Sequence, residues 1–168
     1  MNLLRVISAL RCLSASLIEG KNKGKNRSIA PQRHEVLITN IARAEFDKLY
    51  SERKDSNSLR MMDKVKTSTL SILKSEMHEG SLNGMEIRRD SSGNTNAKGM
   101  MEIRTPTSLQ IRGFIKHFSS GSTTYWVVLG FVRKKKDAVD QSTLSQMNAR
   151  FNAIDQSNPL SSNCSIWG

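Results

Sequence analysis

The chain has 168 residues, of which 37% are apolar and 5% aromatic, with a formal net charge of +11 and a pI of about 10.1. That length suits one domain with an appended segment, and the scarcity of aromatics limits the core. The charge points to a polyanionic partner, nucleic acid or an anionic membrane leaflet, and no apolar run approaches the ~18 residues of a spanning helix.

Residues 1–34 read as an amphipathic, basic and flexible arm. Leu3, Val6, Ile7, Leu10, Leu13 and Leu17 fall at helical spacing, Arg5 and Arg11 interrupt them, and no acid precedes Glu19. Lys21, Lys23, Lys25, Arg27 and Arg33 follow in a Gly/Asn-rich stretch unsuited to packing. Three readings are open: a helix docked on the body with a solvated linker behind it, a mitochondrial presequence, and a membrane-surface helix backed by a polybasic patch. On the last reading Leu3, Leu4, Arg5, Ile7, Leu10, Arg11, Lys21, Lys23, Lys25 and Arg27 meet an anionic leaflet, at ~1 kcal/mol per basic residue near the surface. Arg11 cuts the apolar stretch and argues against a secretory signal.

Residues 35–157 read as the globular part. From Glu35 to Lys54 the pattern of Ile38, Ile41, Ala42, Phe46, Leu49 and Tyr50 predicts an amphipathic helix. Leu59, Met62, Val65, Thr69, Ile72, Leu73 and Met77 predict a second. Ser58 is its expected N-cap, Lys74 and His78 suit its C-terminal dipole, and Gly80 suits its C′ position. The tetrapeptide Met85-Glu86-Ile87-Arg88 recurs as Met101-Glu102-Ile103-Arg104 across a turn-rich segment, which predicts two short strands and a loop. Pro106 breaks the second, because it cannot donate to a ladder.

The centre of the chain is the stretch Ser108–Lys136. Leu109, Ile111, Gly113 and Ile115 alternate with Gln110, Arg112, Phe114 and Lys116, the period of a half-buried strand. Ser119–Thr123 supplies turn chemistry, and Tyr125–Val132 is an unbroken apolar run that predicts a strand buried on both faces. Then Arg133, Lys134, Lys135 and Lys136 follow directly. Leu144, Met147, Phe151 and Ile154 predict a closing helix capped by Ser142, and residues 158–168 read as an irregular tail. The fold class is thus α+β: a small, mainly antiparallel sheet of about four strands packed with two to three helices.

No catalytic signature accompanies this layout. There is no Gly-rich phosphate loop, no paired cysteine and no histidine motif for a metal, so neither a cofactor, a metal nor a small-molecule substrate is expected and the chain reads as a non-enzyme. Cys12 and Cys164 sit at opposite ends, each in a segment expected to be mobile, without disulfide or metal spacing. His34, His78 and His117 are far apart in sequence, each in its own element. Charge remains. Arg133, Lys134, Lys135 and Lys136, with Arg112 and Lys116, form an expected cationic edge that contacts RNA phosphates without reading sequence. Arg88, Arg89 and Arg104 widen it, and the bland alternative is a solvated face.

With MNLLRVISALRCL and KNKGKNR at its start and a basic sheet ending in VRKKK, the chain resembles the matrix proteins of negative-strand RNA viruses, most of all the short ones of plant rhabdoviruses. The resemblance is one of layout, and the proline-rich late-domain motif of some animal relatives is missing. It implies a virion protein at the inner membrane face and in the host cytoplasm, bridging ribonucleoprotein to an anionic membrane and self-associating as a homo-oligomer. Two rivals stand beside it. One is a jelly-roll capsid protein of a small plant or satellite virus, against which residues 35–80 read as helical. The other is a mitochondrially imported nucleic-acid- or ribosome-associated protein.

Overall fold

Among the described residues seven strands lie side by side in a single sheet with helices on both of its faces. The computed structural model describes residues 32–75, 78–89, 98–134, 139–160 and 163–168. In chain order these are β1 (Arg33–Thr39), α1 (Asn40–Ser51), α2 (Ser56–Lys74), β2 (Gly80–Leu82), β3 (Met85–Arg89), β4 (Met101–Arg104), β5 (Ile111–Ser120), β6 (Thr123–Arg133), α3 (Gln141–Asn152) and β7 (Cys164–Ile166). The sheet order is β2-β3-β4-β5-β6-β1-β7; every pairing is antiparallel except β1 against β6. The α+β class, the mainly antiparallel sheet and the three helices match the sequence expectation; the sheet is larger than the expected four strands because β1, β2 and β7 join it.

The central hairpin organises the rest. β6 carries side chains for two cores at once. Trp126, Val128 and Phe131 pack with Val36, Ile38, Met62, Leu73 and Ile103 beneath α1 and α2. Val127 and Leu129 pack with Leu37, Phe114, Leu144 and Met147 beneath α3. Burial on both faces explains why the run lacks alternation. Between Phe114 and Ile115 the register to β6 slips by one residue, so Leu129 is the extra residue of a β-bulge.

β1 replaces the first turns of the expected helix. Val36, Leu37, Ile38 and Thr39 are all buried, alternately toward the two cores, and a short apolar run of this kind suits strand and helix alike until a partner is known. β6 is that partner: Leu37 lies opposite Val127 and Ile38 opposite Val128. Full burial of Leu37 and Ile38 is worth about 1.5–3 kcal/mol each. The helix begins after Thr39, whose hydroxyl accepts from the Ala42 N–H at 3.1 Å, and Ile41 is left exposed on it.

Other boundaries shift for equally local reasons. Asp55, not Ser58, caps α2, accepting from the Ser58 N–H at 2.8 Å. α2 stops at Lys74, where the Ser75 hydroxyl donates to the Ile72 carbonyl at 2.6 Å and competes with a further turn, so His78 and Gly80 lie beyond it. Asp140, not Ser142, caps α3. Strand pairing in the hairpin continues to Ser120 and Thr123, leaving a tighter turn than expected. The C-terminal segment expected to be irregular forms β7 on β1, with Cys164 buried, and Trp167 is buried against Phe46 and Phe131 at ring distances of 5.6 and 5.9 Å.

Candidate nucleic-acid interface

The repeated tetrapeptide builds this surface. β3 and β4 pair antiparallel, with Glu86 opposite Arg104, Ile87 opposite Ile103 and Arg88 opposite Glu102. Met85, Ile87, Met101 and Ile103 belong to the core under α1 and α2, so strand alternation turns Glu86, Arg88, Glu102 and Arg104 to the α3 face. Two copies of Met-Glu-Ile-Arg run in opposite directions therefore place unlike charges across from each other twice. β5 extends the array, with Arg112 opposite Arg104 and Phe114 opposite Glu102.

Glu102 is the anchor. Its side chain is 7% exposed, and its two oxygens take the Nε groups of different arginines: Arg104 at 2.9 Å on one and Arg112 on the other. A carboxylate removed from water is tolerated only with such partners. One negative charge facing two guanidinium groups leaves a positive balance at the site. Arg112 is as buried as Glu102, whereas Arg104 is 35% exposed. Among the described residues Arg104 has no partner beyond Glu102, and Arg88 makes no ion pair. The pair is thus preorganised on a sheet, with Arg104 turned partly to solvent.

The expected cationic edge does not form one surface. Arg112 and Lys116 lie on the α3 face. Lys116 donates to Asn148 Oδ1 at 2.8 Å and sits 5.0 Å from the Phe151 ring centroid, so it docks α3 to the sheet; burial lowers its pKa from the usual lysine value. Arg133 follows Phe131 on the opposite face and pairs with Glu52 at the end of α1. Lys134 is half-buried and its N–H donates to the Gln110 carbonyl at 2.6 Å. Lys135 and Lys136 lie outside the described residues, as do Leu3, Leu4, Arg5, Ile7, Leu10, Arg11, Lys21, Lys23, Lys25 and Arg27. Sequence reasoning overlooked Glu102, and the signal for it was the tetrapeptide repeat. Phe114 and Phe118 belong to the α3-side core and Tyr125 packs against it.

The histidines are a correction: remote in sequence, all three converge on Trp126. The His78 and His117 rings lie 4.8 and 4.6 Å from it, and the Trp126 Nε1–H donates to His34 Nδ1 at 3.3 Å. Among the described residues no group of His, Cys, Asp or Glu is arranged to hold a metal ion, and no helix is long and apolar enough to cross a membrane. The Cys164 thiol is buried, which raises its pKa and keeps it from acting as a thiolate. The chain matches no known protein-family model and no curated protein.

Proposed function

We propose that this protein binds RNA through its sugar–phosphate backbone, without reading sequence, at Arg88 and Arg104 on the α3 face of β3 and β4, with the buried Arg112 of β5 helping to hold Glu102 in place. The observation that carries this reading is the arginine pair fixed by the buried Glu102. A guanidinium is a planar fork of donors suited to phosphate oxygens, and one already held in place avoids much of the ordering cost of a loop residue. The net charge of +11 supplies the long-range attraction. The matrix-like bridge to an anionic membrane depends on Leu3–Arg27, which lie outside the described residues.

Filter binding of a single-stranded RNA at several salt concentrations tests the site. Arg104→Ala should weaken binding and lower the slope of log K against log salt by roughly 0.7, the share of one phosphate contact on a single strand. The loss should be the same for unrelated RNA sequences. Arg60→Ala, an exposed change on α2 at the other face, removes the same charge and should leave the slope unaltered. Equal slopes for Arg104→Ala and Arg60→Ala would show that only overall charge matters and would remove this site.

A further inference from the structure

We infer that His34, His78 and His117 form a proton-operated clasp on Trp126, which holds His78 and the start of β2 against the sheet when neutral and releases them when protonated. Four separate parts of the chain meet there. His34 comes from β1, His117 from β5 and Trp126 from β6, and all three side chains point to the α2 side: Val36, two residues after His34, and Trp126 itself share that core, and His117 lies opposite Trp126. His78 closes over them from the segment after α2. Its ring lies 4.4 Å from that of His34 and 4.8 Å from that of Trp126.

The hydrogen bonds define the protons. Trp126 Nε1 is a donor only, so His34 Nδ1 must carry a lone pair and its proton resides on Nε2. His78 Nδ1 lies 3.0 Å from the Leu73 carbonyl, an acceptor only, so that nitrogen carries the proton and Nε2 is the nitrogen that a second proton would take. A proton added to His34 Nδ1 therefore abolishes the bond to Trp126 and strands a buried N–H. A proton added to His78 or His117 places a cation among rings that already face one another.

Among the described residues nothing at the site compensates such charge. Around the rings stand Glu79 beside His78, Arg89 on β3, and Arg33 and Glu35 flanking His34. Both carboxylates are engaged elsewhere, Glu79 with Arg89 at 2.7 Å and Glu35 with Arg33 at 2.8 Å, and among the described residues no carboxylate pairs with a histidine ring. Burial and the neighbouring His78 lower the His34 pKa. Burial, Arg89 and His78 lower that of His117, although the residue is partly exposed. A lowered folded pKa means that the open form takes up protons first, so the clasp is closed above the ordinary histidine pKa of about 6.5 and lost as pH falls below it. His78 also adopts φ 54, a left-handed conformation uncommon outside glycine. The tilted, closely packed rings hold that strained backbone shut, and their repulsion frees it.

With three histidines and two tryptophans in the chain, NMR can follow every imidazole Cε1–H and both indole N–H signals between neutral pH and about pH 5. The Trp126 indole signal should move with the histidine titrations while that of Trp167 stays in place. Amide exchange at Gly80, Ser81 and Leu82 should accelerate measurably beyond its intrinsic pH dependence, because opening exposes their N–H groups. His78→Asn tolerates positive φ but cannot become charged, and should abolish that excess. Should it fail to fold, His117→Gln, at the exposed position, should reduce the excess in its place. Three ordinary and independent titrations with an unmoved Trp126 indole would overturn the clasp, as would an excess that persists in the variants.

Discussion

Gly113 shows how one missing side chain admits two large ones. It sits in register between Ile103 on β4 and Phe131 on β6. A Cβ there would lie 2.8 Å from both Ile103 Cδ1 and Phe131 Cε1, and 3.1 Å from Ile103 Cβ. The last atom is fixed to a central strand and cannot move aside. Gly113→Ala should therefore destabilise the fold by about 1–3 kcal/mol through overpacking, measured as a lower urea midpoint at unchanged m; an unaltered midpoint would mean that the strands part freely. Gly130 serves a different pair. Past Ile38 β1 no longer pairs with β6, and β6 loses its neighbour on that side. Glu45 and Arg150 take its place. Glu45 Oε2 accepts from the Phe131 N–H at 2.9 Å, Arg150 Nη1 donates to the Leu129 carbonyl at 2.9 Å, and Arg150 Nη2 meets Glu45 Oε1 at 2.7 Å. Two side chains from helices on opposite faces thus satisfy backbone groups that no strand reaches.

Among the elements, α3 is held by its start and by its inner stripe. Leu144 and Met147 are buried in the α3-side core. The Asp140 carboxylate accepts from Ser142 Oγ at 2.6 Å and from the Thr143 N–H at 2.7 Å. These bonds hold its pKa down to about 2, below the usual 3.8. A depressed carboxylate pKa stabilises the fold above the unfolded value and ceases to do so as pH falls through the folded one. Asp140→Ala should lower Tm at neutral pH, and the gap to wild type should close as pH falls from about 4 toward 2. Asp140→Asn keeps a capping oxygen and should fall between the two; a gap independent of pH would show that the charge is irrelevant. The β3–β4 pair makes the complementary point, since its opposed charges come from the direction of pairing and not from either strand alone.

For the molecule as a whole, β6 is the shared wall of both cores. Val128 is fully buried beneath α1 and α2, between Ile115 and Ile38 in the ladder. Val128→Asp would place an unpaired charge there, and loss of cooperative unfolding by circular dichroism is expected, a penalty well beyond the usual 0.5–3 kcal/mol of a point change. A soluble, cooperatively folding variant would show that β6 is not central. The same wall serves two different surroundings: Trp126 supports the histidines on one face, while Arg112, opposite Val132, joins the arginine array on the other.

Local pattern alone determined the hairpin, α2, α3, the short strands made by the tetrapeptide repeat, and the strongly basic character, because each is written in residues near one another: a period of two, a period of 3.6, a run of cations. It could not determine the role of Val36–Thr39, whose apolar run suits two elements until β6 pairs with it, nor that of Cys164–Ile166, too short to signal a strand before β1 offers an edge. Side-chain company was equally out of reach. Arg133 and Arg112 look like members of one cationic edge, yet strand alternation and the direction of pairing send them to opposite faces. His34, His78 and His117 look unrelated, yet the sheet order brings β5, β6 and β1 together beneath the end of α2. The physical reason is the same in each case: periodicity decides which way a side chain points from its own element, and only the pairing of distant elements decides what it meets.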